Sequence, residues 1–399
     1  MSVPRLGREV RLLITFSALR NITDLFLGTF LVSFIMHLSS SEIVSVSMYK
    51  LFEYAATCFG FFAFAHWCKR YNKVAVFAMN QMPKIILLLM IITMGDGVID
   101  YVIPMGLLCG IGAAMYHLPM NLMVGEKVPV ASVPRYLGVK NTVIYIVKIV
   151  TPIVLGFFID TGSYTEMAYV MLGVAFLELF LAMFLRPSRH RSRAPVDFGG
   201  FLRCMRRFGI IRQMFTMEVL RGFGIGLLST VIPMYIVYMF QTDFNLGIFT
   251  TIFSAFSITA SWLFGRYGCG RVYRVLLPLC LLAIGVSMTL FIWDTVPLTF
   301  LLYNFVYSTA IVLLDLTCSS CIFSLSKSRC VTANHKIEYF VIRDFALFIG
   351  RWIGFTGLMY IGVFGGYAWL RWYLVLITLS IMVSGVISDR LSGKLRHRQ

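Results

Sequence analysis

Long apolar stretches follow one another along this chain, each separated from the next by a short polar or basic turn. Such a stretch can sit in hydrocarbon only if its backbone N–H and C=O groups bond to one another, which leaves helices or a closed barrel. No segment alternates apolar and polar residues over about ten positions, which argues against a barrel. A spanning helix needs about 20 mostly apolar residues, because the hydrocarbon core is about 30 Å thick and each residue rises about 1.5 Å. That length predicts twelve spans, at roughly 11–37, 42–66, 74–95, 101–124, 137–159, 165–185, 213–240, 246–265, 274–293, 298–325, 337–361 and 367–388. The expected fold is an all-α membrane protein, with twelve transmembrane helices in two pseudo-symmetric six-helix bundles.

Composition agrees. Of 399 residues, 59% are hydrophobic and 13% charged; soluble chains average about 45–50% and about 25%. An ordinary cytosolic enzyme and a disordered chain are both excluded. The net charge of +17 has two readings, a nucleic-acid partner or cytoplasmic loops enriched in Lys and Arg. Their distribution decides between them. With both termini and the loops after even-numbered spans on one side, 27 of the 35 Lys and Arg residues fall on that side. They include Arg70 and Lys73 after span 2, eight arginines between Arg186 and Arg212, and Arg266 and Arg271 after span 8. The other side has Arg371 alone, and its loops carry Glu42, Asp96, Asp100, Asp160, Glu166, Asp243 and Asp294. The charge is therefore topology, with both termini cytoplasmic, no nucleic-acid partner, and basic loops placed against anionic lipid headgroups.

The basic start before span 1 is expected to lead into a membrane helix rather than a signal peptide, because Arg20 and Asp24 interrupt the apolar run. Cys318 and Cys321 lie in an apolar helix without co-ligands at zinc spacing, so they read as packing residues. No disulfide framework is expected. The chain has no G-x-S-x-G, P-loop or H-E-x-x-H motif. It reads as no enzyme and needs no cofactor or metal, and active transport by it would draw on an ion gradient.

The basic segment 186–212 divides the spans six and six, predicting bundles at 1–185 and 213–399 joined by a linker. The halves echo each other: Ala18-Leu19-Arg20 matches Val219-Leu220-Arg221 at an offset of 201, and Arg70-Tyr71 matches Arg266-Tyr267 at 196. These features suggest two parallel repeats. Twelve spans, the six-plus-six split, the basic central loop and the length together resemble the major facilitator superfamily. After span 2 that family reads G-x-x-x-D-R-x-G-R-R; here Arg70 and Lys73 match, whereas Ala65, Lys69 and Asn72 replace Gly, Asp and Gly. Span 4 lacks the Arg of many of the family's drug/proton antiporters. Span 11 resembles a less characterised bacterial branch through Glu338, Arg343, Asp344, Gly350 and Arg351. The resemblance implies that spans 1, 4, 7 and 10 line a cavity, 2, 5, 8 and 11 flank it, and 3, 6, 9 and 12 face lipid.

Ionisable groups at bilayer depth cost about 2.5–3.5 kcal/mol on insertion scales, so they face a cavity or a partner. Seven basic residues lie within spans: Arg20, Lys50, Lys84, Lys148, Arg221, Arg343 and Arg351. The acids read as lying there are Asp24, Glu53, Glu178, Asp315 and Asp344. Arg20 and Asp24, four apart, share a face of span 1; they make either a titrating site or a static bridge. Lys50 and Glu53 read as a structural pair. Lys148 needs a partner from another helix, with Asp24 and Glu53 the candidates. Lys84 and Glu178 read as helix-to-helix bonds. The proton-coupling candidates are Asp24, Glu53 and Asp315. The substrate-binding candidates are Arg20, Tyr116, His117, Lys148 and Arg351. Arg70, Lys73, Glu338, Arg343, Asp344, Arg266 and Arg271 are read as a gating or structural charge network.

The expected function is secondary active transport of a small polar solute, anionic or zwitterionic, by a proton-coupled monomer in a bacterial plasma membrane. The alternatives are export of amphipathic drugs or lipids, and a non-transporting receptor or scaffold on the same fold.

Overall fold

The computed structural model describes residues 8–70, 73–127, 133–185, 196–267, 270–326 and 336–396. They are almost wholly helical. In chain order the helices are α1 (Arg8–Leu25), α2 (Leu31–Leu38), α3 (Glu42–Arg70), α4 (Lys73–Met79), α5 (Gln81–Met94), α6 (Val102–Lys127), α7 (Val133–Thr161) and α8 (Tyr164–Ala182). Then come α9 (Phe198–Arg207), α10 (Gly209–Phe240), α11 (Asp243–Tyr267), α12 (Gly270–Trp293), α13 (Pro297–Ser326), α14 (Lys336–Phe364) and α15 (Gly366–Arg396). Among the described residues, ten helical stretches are long and apolar enough to cross a membrane. One of them, Lys73–Met123, runs on through α4, α5 and α6. The 29-residue α3 is outside this set because Lys50, Glu53 and His66 dilute its apolar character. Its length of about 44 Å still exceeds a hydrocarbon core.

Local backbone departures shape the helices. α1 and α2 are joined by a π-helical turn, Phe26–Phe30. A π turn disturbs the usual carbonyl pairing, and the Leu27 carbonyl accepts the Tyr49 hydroxyl at 3.0 Å. Positive φ at Gly95, which ends α5, and at Gln241, between α10 and α11, lets the chain reverse.

The chain forms two compact units: 1–195 with Ile236–Thr251, and Val196–Tyr235 with Ile252–Gln399. Between membrane helices the hydrophobic drive is small, so close van der Waals fit and hydrogen bonds hold them. In the first unit α3 lies along α6. Gly106 and Gly110 face the Tyr49 and Glu53 carbonyl oxygens, leaving no room for a side chain. At one end of α1, Leu13, Phe16, Phe77, Tyr116, Met120 and Met123 form a buried cluster that ties α1 to α4 and α6. The start of α11 docks on α7: the Asp160 carboxylate accepts the Asp243 N–H at 3.1 Å and the Phe244 N–H at 2.9 Å. This is a helix cap supplied by a neighbouring helix. Asp243 in turn accepts the Tyr164 hydroxyl at 2.6 Å, with His37 Nε2 at 3.5 Å.

In the second unit α10 and α14 interlock. Gly222 faces the Leu347 carbonyl and Gly350 the Val219 carbonyl. Tyr373 donates to the Gly354 carbonyl at 2.7 Å, bonding α15 to α14. Cys318 and Cys321 are buried on α13 and in no disulfide, and the Cys321 thiol lies 3.6 Å from the Ser388 carbonyl.

Candidate functional site

Burial and pairing sort the charged residues into two networks, one in each unit. In the first, α1 carries Arg20, Thr23 and Asp24 on neighbouring turns. Arg20 Nε is 2.7 Å from Asp24 Oδ1, yet the Arg20 side chain is 4% exposed and the Asp24 side chain 41%. The i,i+4 spacing makes the pair, and only its acid reaches the surface. Arg20 also donates to Asn80 Oδ1 at 3.3 Å and stacks 4.9 Å over the Tyr116 ring. The Tyr116 hydroxyl donates to Ser17 at 3.3 Å.

Behind Arg20 lies a buried ring of bonds. Gln81 donates to Asn80 Oδ1 at 3.0 Å and to the Glu178 carboxylate. Thr23 donates to Glu178 Oε1 at 3.2 Å. Lys84 donates to Thr23 at 2.7 Å, and its ammonium sits 3.7 Å from Glu178 Oε2. Lys84 and Glu178 thus bond α5 to α8, the helix-to-helix role expected of charges on those spans. Buried charges survive only when paired and hydrogen-bonded, and both conditions hold here.

Glu53 pairs with Lys50 on α3 at 2.8 Å, and both side chains are largely buried. Thr57 joins them to α6, donating to the Glu53 carbonyl at 2.8 Å and approaching the Gly110 carbonyl at 3.2 Å. His117 is exposed on α6, edge-on to Tyr116 with ring centres 5.0 Å apart. It is close enough to act electrostatically on Asp24. Lys148 is partly buried on α7. Asp24 and Glu53, its candidate partners from sequence, are each paired on their own helix. Lys73 is buried at the start of α4. Arg70 ends α3, and its side chain lies outside the described residues.

The second network joins α10, α13 and α14. Arg221 contacts the Asp315 carboxylate; the side chains are 13% and 53% exposed. Arg221 Nη1 is 3.4 Å from Glu218 Oε1, and Arg343 Nε is 3.2 Å from Glu218 Oε2. Arg343 Nη1 lies 3.6 Å from Asp344 Oδ1. Arg351 is partly buried on α14, packed against Gly226 and close enough to act on Asp344. Glu338 also lies on α14. Its Oε1 accepts the Asp197 N–H at 3.1 Å, tethering the start of α9 to α14. The side chains of Arg266 and Arg271 lie outside the described residues.

Sequence reasoning misses Glu218, which is fully buried at the centre of the second network. The signal is present, since Glu218 and Arg221 stand at i,i+3 within an apolar helix. Arg20 and Arg221, the residues aligned by the sequence offset of 201, are each bonded to a carboxylate that reaches the surface. Both acids are exposed at the protein surface, and the guanidinium beside each keeps its charge at any working pH.

Known proteins place this architecture. The fold is similar to the crystal structure of a POT family transporter in complex with a thioalcohol-conjugated peptide, with a TM-score of 0.73 at 12% identity over 99% of both chains. It is also similar to a D-xylose–proton symporter, with a TM-score of 0.69 at 12% identity over 95% of this chain and 96% of that one. A third likeness is the human organic anion transporter MFSD10 (TETRAN), with a TM-score of 0.67 at 12% identity over 96% of this chain and 100% of that one. At such identity these likenesses establish the fold. No curated protein sequence matches the chain. The family model described as Major Facilitator Superfamily matches residues 12–333, most of the sequence. With helices, membrane-length apolar stretches and fold in agreement, the chain belongs to the Major Facilitator Superfamily of membrane transporters and is not an enzyme.

Proposed function

We propose that this transporter is a proton-coupled secondary transporter that moves a small polar solute, anionic or zwitterionic, across the plasma membrane. Its twelve spans form two six-helix halves, 1–185 and 213–399, with 186–212 as the linker and both termini in the cytoplasm. The halves alternate access to a midplane site, and the protein works as a monomer. Asp24 is the principal proton carrier, followed by Glu53 and Asp315. Arg20, Tyr116, His117, Lys148 and Arg351 contribute to solute recognition. Arg70, Lys73, Glu338, Arg343, Asp344, Arg266 and Arg271 hold or gate the helices.

One observation carries this reading. At positions 20 and 221, aligned by the sequence offset of 201, an arginine, buried at 20 and part-buried at 221, is bonded to a carboxylate that reaches the surface, Asp24 in one unit and Asp315 in the other. Proton coupling needs a carboxylate that trades its proton against a fixed positive charge, and this pairing supplies both parts. A proton symporter and an organic anion transporter among the proteins of similar fold are consistent with the two chemistries invoked.

The solute class is tested by thermal shift of the detergent-purified protein. The panel holds sugars, amino acids, nucleosides, organic acids, cationic drugs and lysolipids, at about pH 5.5 and 7.5. A saturable rise in melting temperature for organic acids or amino acids is expected, because a ligand that binds only the native state stabilises it. In proteoliposomes with that solute, Asp24→Asn abolishes pH-driven flux and spares exchange. Unchanged pH-driven flux would remove Asp24 from the mechanism. A shift with lysolipids alone replaces the solute class.

A further inference from the structure

Glu218 is fully buried, yet it touches two arginines on two helices. Each carboxylate oxygen has its own guanidinium: Oε1 faces Arg221 Nη1 at 3.4 Å and Oε2 faces Arg343 Nε at 3.2 Å. Arg221 is thereby gripped by one amino group while its other, Nη2, meets Asp315. The Val219 and Leu347 carbonyls lie against Gly350 and Gly222, so α10 and α14 are close-packed beside the arginines they carry. Two acids share one guanidinium in this arrangement, and only Asp315 reaches the surface.

We propose that Glu218 is a positioning residue for Asp315. It aims Arg221 at the Asp315 carboxylate and competes for the guanidinium charge, so that Asp315 can take up and release a proton. This rests on the reading of Asp315 as a coupling carboxylate. The repeat shows that the acid is not dictated by the arginine alone. At the offset of 201 the matching residue in α1 is Ser17, which bonds to Tyr116 at 3.3 Å. There the arginine takes its acid from the other side on its own helix, as Asp24, and the buried Glu178 on α8 is linked to it through Asn80 and Gln81.

Among the described residues, the following titratable and charged groups act on the pair and its neighbours. Arg221 feels Asp315, Glu218 and Cys318. Tyr307 faces Asp315 and Arg221. Tyr339 faces Arg343 and Glu218. Asp344 faces Arg343, Glu218, Arg351 and Arg221. Both guanidiniums keep their protons at any working pH, so deleting the Glu218 charge leaves Arg221 wholly to Asp315.

The test is infrared titration of the carboxylic C=O band in lipid-reconstituted full-length protein, with Asp315→Asn identifying the Asp315 signal. In Glu218→Gln the Asp315 midpoint falls by about one pH unit, the size of effect a neighbouring charge exerts. In Glu218→Asp, which keeps the charge, it stays within about 0.3 unit of the parent. Arg343→Gln provides an independent arm should Glu218→Gln not fold: with one guanidinium gone, Glu218 engages Arg221 alone and the Asp315 midpoint rises by a similar amount. A midpoint unmoved by Glu218→Gln, or by Arg343→Gln where that arm is used, overturns the positioning role alone, since a merely structural residue would lower stability and leave the titration in place. A parent protein in which Asp315 never takes up a proton overturns the coupling reading of Asp315 and this inference with it.

Discussion

Replacing Gly110 by alanine tests whether the α3–α6 contact is set by backbone approach. A Cβ at Gly110 would run into the Glu53 carbonyl oxygen and lie 2.7 Å from Ala56 Cβ and 2.9 Å from the Glu53 carbonyl carbon. An ordinary contact of this kind is about 3.5–4.0 Å, so the helices must part by about 1 Å along this seam. The nearest atoms belong to the backbone of a helix and to a Cβ, so no flexible side-chain end can swing aside. Overpacking of this sort costs about 1–3 kcal/mol, and the rigid obstacle puts Gly110→Ala at the upper end, about 2–3 kcal/mol. Gly106 repeats the geometry one turn away against the Tyr49 carbonyl, so Gly106→Ala carries a similar cost. Gly173→Ala is the control. Gly173 lies inside α8 with nothing within 4 Å of its would-be Cβ. That change leaves stability unaltered or raises it by up to about 1 kcal/mol, from helix propensity alone. The assay is reversible unfolding in mixed detergent micelles, read by circular dichroism and extrapolated linearly. A Gly110→Ala protein within about 0.5 kcal/mol of the parent would refute the close-approach account, because the helices would then have moved apart freely.

Other perturbations follow from single bonds. Tyr49→Phe removes the hydroxyl that satisfies the Leu27 carbonyl in the π turn at 3.0 Å, and the same unfolding assay should register a loss of about 1 kcal/mol. Asp160→Ala strips the first turn of α11 of an acceptor that takes two N–H groups. A loss of about 1–2 kcal/mol is expected, and amide exchange at residues 243 and 244 should quicken; unchanged exchange there argues against the cap. Glu178→Leu strands the Lys84 ammonium, which sits 3.7 Å from that carboxylate. Breaking one side of a buried pair costs about 3–5 kcal/mol, and the double variant Lys84→Met/Glu178→Leu should recover most of it. If the double variant is no better than the single one, the pair is not a unit.

The helices are legible from the sequence because a membrane span is a one-dimensional pattern: length and apolarity suffice, and charge asymmetry predicts a side for each loop. The pairs Arg20–Asp24 and Lys50–Glu53 are legible for the same local reason, since spacings of three and four on a helix put side chains together. Partners on different helices are not. Nothing in the local sequence says that Lys84 meets Thr23 and Glu178, or that Glu218 gathers Arg221 and Arg343. Those contacts are set by helix rotation, which glycine notches such as Gly110 against Glu53 and Gly350 against Val219 decide. The bond from the Asp197 N–H to Glu338, 141 residues apart in sequence, is another contact of this kind.

Exposure, more than charge, separates Asp24 and Asp315, the acids proposed to couple transport, from Glu178 and Glu218. Glu178 and Glu218 have no solvent path and sit among fixed donors, so their natural role is to neutralise and orient the cations beside them. Asp24 and Asp315 sit on the other side of the same kind of arginine, where their side chains are exposed at the protein surface. A buried guanidinium bonded only to a buried acid would be static, and one bonded only to an exposed acid would be loosely aimed. The second network supplies Arg221 with both, Glu218 behind and Asp315 in front. The first reaches the same end with Asn80 and Gln81 relaying from Arg20 to Glu178, behind Asp24. The two units thus each set a held guanidinium beside an exposed carboxylate, and they do so with different residues, which is the feature the proposed proton coupling rests on.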